Sequence, residues 1–506
     1  MSALLSESDL NDFISPSLAC IKPTEVKKET AYVTEDGEYQ VGVEPAELDK
    51  VSISLSDCLA CSGCITSSEE IMLQKQSHTV FLDAWRLEED RAKTEVRKKL
   101  VVSMSPQCRV SLGKYYGIHV DQVDYCMLRI FKEVFHTTYF VGTELGRVMS
   151  IRRTVEKLQE KKADGSLGGG PALSSICPGF VVYAEKTKPE IVPLLLNVKS
   201  SQQITGVMLQ ETLGRDTAYY HLVIMPCFDK KLEASRPDSD GEVDCVITPK
   251  EVVTMFTELD IPFHDYLRDF DVDVLAALRR EMSPPGWHPQ LHWSVNLDGS
   301  SGGYAYQYVL AQQQRAERDP AVRGTTEIRR LPGKNNDIVE YRLVQSDTSG
   351  SKKLASACEL SGFRNIQNMC RALSPDKKKT ALARKRGVTA LRKRGRETPR
   401  TTHAEMAEPY TSDYIEVNAC PGGSINGGGL LGSSINDDTN TSAKRRTQMV
   451  QEMNHKYFAE LPLIEPLDCA IPMPQLVSTD DKRLQYEFHP VTRDQEKDLV
   501  TVGNTW

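Results

Sequence analysis

The sequence predicts an α/β protein, and three observations carry that expectation. Short apolar runs of strand length recur beside Cys and Pro: GFVVYAE at 179–185, YHLVIM at 220–225 and YIEV at 414–417. Each reads as a strand buried on both faces of a sheet. Helical periods lie between them. The best marked begins at Thr248-Pro249-Lys250-Glu251, where a capping box coincides with proline at the first helical position and Val252, Val253, Met255, Phe256 and Leu259 follow. Alternating strands and helices make an α/β body. At 506 residues, 40% of them hydrophobic, the chain can bury several cores.

Four stretches follow along the chain. Residues 1–82 form a small cysteine-bearing module, in which Val51, Ile53 and Leu55 alternate with serine. Residues 83–373 form the main body. Residues 374–408 are a basic insertion: 377–400 carries eleven Lys or Arg against one acid, Glu397. A solvated, mobile loop or helix is the plain reading of such a run, with a nuclear import signal or an acidic partner as the others. Residues 409–506 contain the Gly-rich stretch GGSINGGGLLG at 422–432, where backbone must approach a cofactor closely or take positive φ, a flexible loop being the plain alternative, then a last helical segment at 443–461 and a Pro-punctuated tail.

Charge and composition exclude several classes. A net charge of -8 argues against a dedicated nucleic-acid binder, which needs a clustered excess of Lys and Arg. No run approaches the ~18 apolar residues of a membrane span, and MSALLSESDLNDF lacks a secretory pattern. No membrane partner is expected. Thirteen cysteines, an odd number, suit a reducing compartment, where clustered thiols are metal ligands before they are disulfide partners.

The first cluster of thiols is Cys58-Leu59-Ala60-Cys61-Ser62-Gly63-Cys64. A cubane needs one thiolate per iron, and this spacing can wrap three corners of one [4Fe-4S] cluster. Cys20, the only cysteine upstream, is the candidate for the fourth corner. Zinc is the rival, although its sites pair two well-separated knuckles around a tetrahedron.

Three further cysteines each stand beside proline at a strand edge: Ser174-Ser175-Ile176-Cys177-Pro178-Gly179-Phe180, Met225-Pro226-Cys227-Phe228-Asp229-Lys230-Lys231, and Ala419-Cys420-Pro421-Gly422-Gly423-Ser424-Ile425-Asn426-Gly427-Gly428-Gly429. Groups that hold ligands gather at such strand ends in α/β sheets. These segments resemble the three signatures of iron-only hydrogenases, T-S-C-C-P-G-W, M-P-C-x-x-K-K and A-C-P-G-G-C-x-N-G-G-G. His292-Trp293-Ser294, the stretch Gly299-Ser300-Ser301-Gly302-Gly303-Tyr304, and Pro193-Leu194-Leu195 leading to Ser200-Ser201-Gln202-Gln203 add to the likeness. Within that superfamily the chain is most similar to the hydrogenase-like factors of cytosolic iron-sulfur protein assembly. The opening MSALLSESDLNDFISPSLACIKP, Cys20 with the C-x2-C-x2-C run, Gly362-Phe363-Arg364-Asn365-Ile366-Gln367-Asn368 and the final Trp506 draw it there.

The resemblance implies a hydrogenase-like body of two lobes around a buried cluster, preceded by a small ferredoxin-like module. It also implies two [4Fe-4S] clusters, one on Cys20, Cys58, Cys61 and Cys64, the other on Cys177, Cys227 and Cys420. The fourth position of the second cluster is Ser424, where the family pattern has cysteine. An alkoxide, a water or an open iron could stand there, since hard oxygen matches iron-sulfur less well than thiolate. Cys108, in SPQCRVSLG, is a conceivable replacement. Cys126, Cys245, Cys358, Cys370 and Cys469 read as small core hydrophobes.

Hydrogenases carry a proton-relaying cysteine at the position of Ile176, and isoleucine has no exchangeable side-chain proton. Lys230 matches a lysine that contacts their two-iron site. With the relay and the bridging cysteine both replaced, the resemblance implies no enzyme but a carrier that links an early scaffold of NTPases to a late targeting complex with a β-propeller scaffold. Recipient apoproteins in the cytoplasm, and by the basic stretch also the nucleus, follow from it, with Trp506 as the docking residue. An electron-transferring oxidoreductase is the alternative.

Overall fold

The computed structural model describes residues 32–33, 39–40, 76–93, 97–166, 170–239, 241–296, 298–347, 350–374, 405–431, 443–467 and 481–490. The chain divides into two compact units, 1–71 and 72–506. The strands, in chain order, are β1 (Tyr32–Val33), β2 (Tyr39–Gln40), β3 (Lys99–Met104), β4 (Tyr139–Gly142), β5 (Ala172–Leu173), β6 (Tyr219–Ile224), β7 (Cys245–Ile247), β8 (Val295–Asn296), β9 (Thr325–Pro332), β10 (Ile338–Asp347), β11 (Gly350–Ser361), β12 (Tyr414–Asn418) and β13 (Leu463–Ile464). In the first unit β1 pairs antiparallel with β2.

The second unit is built on two main sheets. One is parallel throughout, in the order β4-β3-β6-β7. Its strands are apolar on both faces: Leu100, Val101, Val102 and Met104 of β3 are all buried, as are Leu222, Val223 and Ile224 of β6. Helices cover both sides, as an all-parallel sheet requires. The other sheet runs β5-β12-β11-β10-β9, parallel from β5 to β11 and antiparallel beyond. Its core includes Leu196, Tyr308, Leu343, Ala357 and Tyr414.

The local signals account for the helices. Thr248 caps Pro249–Glu258 with both halves of the capping box formed, as the sequence predicts. His119 and Gln122 do the same for Val120–Glu133, a box with histidine in place of the usual Ser or Thr. Ala443–Glu460 is the helix expected near the C-terminal end. YHLVIM and YIEV fall in β6 and β12 as expected.

GFVVYAE does not form a strand. It lies in the helix Pro178–Thr187, capped by Cys177 in extended conformation with Pro178 in the first turn. Proline fixes φ near the helical value and needs no hydrogen-bond acceptor there. Phe180, Val181, Tyr183 and Ala184 are buried while Val182 is half-buried, a helical stripe rather than an alternation. The strand before this cysteine is instead the short β5. The helix His78–Arg91 runs through residue 82, where the sequence suggests a module boundary. The basic run 377–400 lies outside the described residues. Among those described, no helix is long and apolar enough to cross a membrane.

Candidate metal centre

The site forms where both sheets present the C-terminal ends of their parallel strands. Ser105 follows β3, Thr143 follows β4, Met225-Pro226-Cys227 follow β6, Ile176-Cys177 come after β5, and Ala419-Cys420 leave β12. All of them line one cavity of about 710 Å³, open mouth included. Crevices outside the carboxyl ends of parallel strands are where α/β proteins bind ligands, because the chain must turn there and leaves backbone groups and side chains free to face inward.

The three signature cysteines therefore converge from separate parts of the chain. Each is half-buried and free of disulfide. The amide of Ala419 donates to Cys177 Sγ at 3.3 Å, joining the first and third cysteine turns. The second and third are joined by backbone: Gly429 N donates to Pro226 O at 2.9 Å. At Gly427 a Cβ would stand 2.4 Å from Pro226 O, so only glycine allows this approach. The positive φ expected of the Gly-rich stretch is found at Gly422 (75°) and Gly423 (84°), while the close approach at Gly427 is to protein backbone.

Burial raises the Cys177 thiol pKa, with the Ala419 amide opposing. Burial also pushes the Cys227 thiol well up, helped by Asp229, Cys420 and Cys177. That Cys420 and Cys177 both act on Cys227 reflects how close the three sulfurs lie. Among the described residues, no three His, Cys, Asp or Glu side chains meet closely enough to hold a single metal ion. The thiols surround a space rather than a point.

Ser424 lines the same cavity, and its amide donates to Ser301 Oγ at 2.8 Å. Asp337 Oδ1 accepts from Gly422 N at 2.8 Å, fixing the other end of the turn. Lys230 lines the cavity too, but its ammonium is fully occupied: Nζ donates to Ile176 O at 3.1 Å, Ser200 Oγ at 2.8 Å and Glu233 Oε2 at 2.7 Å. Cys108 does not reach the cavity. It is fully buried in the apolar core with Val110 and Val252, bonded to Ser105 Oγ and Ile224 O. The strand-helix turn at Ser105-Pro106 directs it into that core, so it does not replace the missing thiol. Cys126, Cys245, Cys358 and Cys370 are likewise buried. Cys20, Cys58, Cys61, Cys64, Cys469 and Trp506 lie outside the described residues.

Sequence reasoning misses the inner wall. Arg147 and Glu144 form a buried pair at 3.0 Å beside the cavity, and Arg147 Nη1 also donates to Asn296 Oδ1 at 2.9 Å and Tyr457 OH at 3.1 Å. Burial raises the Glu144 carboxyl to about 7, against the pull of Arg147 and Arg109. The signal available is an acid-base pair three apart directly after a strand. Asp229 also lines the cavity, although nothing in its motif marks it out. Burial raises its carboxyl to about 6, with Lys230 pulling the other way.

The sequence profile of the iron-only hydrogenase large subunit, C-terminal domain, matches residues 98–428. The chain is 50% identical over 525 residues to a protein of Saccharomyces cerevisiae, and 49% identical over 562 residues to one of Candida glabrata, each named cytosolic Fe-S cluster assembly factor NAR1. In both cases the match covers 100% of this chain and 100% of the relative. This chain belongs to that hydrogenase-like family of assembly factors. The family's hydrogenase-like fold also has solved counterparts. A single-residue variant of apo [FeFe]-hydrogenase HydA1 from Chlamydomonas reinhardtii superposes with a TM-score of 0.53 at 18% identity, covering 82% of this chain and 100% of its own. Another variant of the same hydrogenase gives 0.54 at 17% identity with the same coverage. The mixed α/β body with its parallel sheets agrees with the fold class expected from sequence.

Proposed function

We propose that this chain is a non-enzymatic carrier of iron-sulfur clusters in the cytosolic assembly of iron-sulfur proteins. One observation carries the reading: Cys177, Cys227 and Cys420, brought from two sheets, line a single half-enclosed cavity. Three thiols around a space fit three corners of a [4Fe-4S] cluster, and each corner takes one thiolate. Once bound, iron supplies positive charge that keeps these sulfurs deprotonated despite their burial. The chain's own work is to hold the three turns together through the Ala419–Cys177 and Gly429–Pro226 bonds.

The second cluster of the scheme belongs to Cys58, Cys61 and Cys64 by their spacing, with Cys20, the only cysteine upstream, as the fourth ligand. The relatives' names support the cytoplasm as the place of action. The resemblance supports exchange with early scaffold NTPases and a late targeting complex, with Trp506 docking on the β-propeller component through its large amphipathic ring. The oxidoreductase alternative has the hydrogenase-like fold in its favour. Against it stand Ile176, which cannot relay a proton, and a Lys230 engaged by protein acceptors.

Iron and acid-labile sulfide content, with electron paramagnetic resonance, tests the cluster assignment on the parent chain, Cys61→Ala and Cys177→Ala. Each substitution should remove one cluster's iron, and stoichiometric zinc without sulfide would sink the scheme. Depletion in cells tests the role. Cytosolic iron-sulfur enzymes should lose activity while mitochondrial ones keep it; intact activity in both would favour the oxidoreductase. Removing Trp506 should weaken association with the targeting complex and leave iron content unchanged.

A further inference from the structure

We propose that Asp229 supplies the fourth protein ligand of the cluster held by Cys177, Cys227 and Cys420, taking the place of the thiolate that Ser424 lacks. The proposal rests on the cluster reading above and adds a ligand to it. Asp229 lines the cavity with the three cysteines. It stands two residues after Cys227 and opens the short helix Asp229–Ala234, so β6 fixes where its backbone points.

Its side chain can be placed from its neighbours. A Cβ on Gly179 would fall 2.5 Å from Asp229 Oδ2 and 3.6 Å from Ala419 Cβ. One carboxylate oxygen therefore lies in the seam between the Cys177–Gly179 turn and the Ala419–Cys420 turn. Those turns are the pair joined by the Ala419–Cys177 bond. The oxygen is within reach of all three cysteine turns at once.

Among the described residues, that carboxylate takes no hydrogen bond and no ion pair. Its sequence neighbour Lys230 is turned to Ile176, Ser200 and Glu233 instead. Asp229 is half-buried in a cavity that opens to solvent, and no protein donor competes with a cation placed beside its carboxylate. Ser424 is the weaker candidate on chemical grounds. Its hydroxyl would have to lose a proton to become an anionic ligand, whereas a carboxyl group offers oxygens that need no such step in their ordinary anionic form. Carboxylate oxygen is an accepted ligand of iron. Asp229 would hold the fourth iron through a carboxylate oxygen in place of a solvent ligand, with no change of electron or proton count. The glycine at 179 has a matching reason, since any larger residue would displace this oxygen.

The experiment uses the full chain with Cys61→Ala, which removes the N-terminal cluster's iron from the signal, grown with aspartate labelled by carbon-13 in the side-chain carboxyl. Electron-nuclear double resonance on the reduced protein should show carbon-13 coupling to the cluster. Adding Asp229→Ala should abolish the coupling and lower the cavity's iron from about four per chain to about three. Adding Ser424→Cys to the Asp229→Ala chain should restore the fourth iron without the coupling, which separates lost ligation from misfolding. A cluster that shows no coupling, or an Asp229→Ala chain with unchanged iron and spectrum, overturns the ligand assignment alone. A parent chain with no iron that Cys177→Ala removes overturns the cluster reading and this assignment with it.

Discussion

Lys230 Nζ donates to the carbonyl oxygen of Ile176 at 3.1 Å, tying the second cysteine segment to the first. The same ammonium holds Ser200 Oγ and Glu233 Oε2, and Glu233 in turn accepts from Tyr486. Both partners of the ion pair are buried. Its lysine matches the hydrogenase pattern in sequence, but here it is a structural strut.

Lys230→Met should therefore act on stability first. It leaves the Glu233 carboxylate buried with its cation gone, a change that costs roughly 3–5 kcal/mol. Urea unfolding of the full chain should show this loss. The double variant Lys230→Met with Glu233→Gln should recover part of it, because the orphaned charge is then removed as well. Equal stability of parent and Lys230→Met would contradict the strut role.

Gly427→Ala tests the contact between the second and third cysteine turns. The added methyl would stand 2.4 Å from Pro226 O, a backbone atom that cannot swing away. The two turns must separate, moving Cys420 relative to Cys227. Cavity iron, measured in the Cys61→Ala background, should fall at least severalfold. Gly117→Ala is the control: its Cβ meets open space, so only the positive φ of 69° is disturbed. Iron retained in Gly427→Ala would show that the close approach is not needed.

Much of this site is legible in the sequence. Each signature cysteine sits beside Pro near a short apolar run, and such runs end where α/β sheets bind ligands. Cys177 shows where such reading stops. The run beside it, GFVVYAE, is β-branched and apolar enough for a strand, yet Pro178 makes a helix start there and β5 contributes only two residues. Periodicity alone cannot separate a short buried strand from a buried helical face. Cys108 fails differently: the sequence offers it as a replacement thiol, but one turn of helix decides which way a side chain points. Asp229 and Arg147 are invisible for a third reason. The neighbours of Asp229, Gly179 and Ala419, and the partners of Arg147, Asn296 and Tyr457, are distant in sequence, and only the fold brings them together.

Asp124 anchors the helices around the first sheet. It accepts from Arg109 Nε at 2.8 Å and Nη2 at 2.5 Å, and from Arg279 as well, while both guanidinium groups lie over the Trp293 ring. Arg109 and Asp124 are almost wholly buried. Asp124→Asn leaves two cations sharing a neutral amide and should cost roughly 3–5 kcal/mol in urea unfolding. Asp265→Asn breaks an exposed pair with Arg268 and should cost no more than ~1 kcal/mol. Similar losses in the two variants would refute the distinction.

Acid sensitivity should be traceable to His221. Its ring is fully buried between Ser103 Oγ at 2.9 Å on Nε2 and Glu242 O at 2.7 Å on Nδ1, and its own amide donates to Asp244. Nδ1 must carry the hydrogen, because a carbonyl can only accept, so Nε2 accepts from Ser103. Burial lowers the pKa to about 4, with the Glu242 carbonyl pulling the other way. The unfolded chain, with the ordinary value of ~6.5, therefore takes up this proton before the folded one does. The stability held by the neutral ring is complete above pH ~6.5 and is lost as pH falls through about 4, a change of about 3 kcal/mol. His292, lowered to about 3 by burial and by Arg279 and Arg109, adds a loss of the same sign. Buried carboxyls such as Glu144, raised to about 7, act oppositely, so the informative quantity is a difference between chains. His221→Gln keeps a donor and an acceptor but cannot titrate. Its cost relative to the parent should be largest at pH ~7.5 and shrink by about 3 kcal/mol by pH ~4, read from urea unfolding across the series. A cost that stays constant with pH would mean that His221 is not the group that titrates.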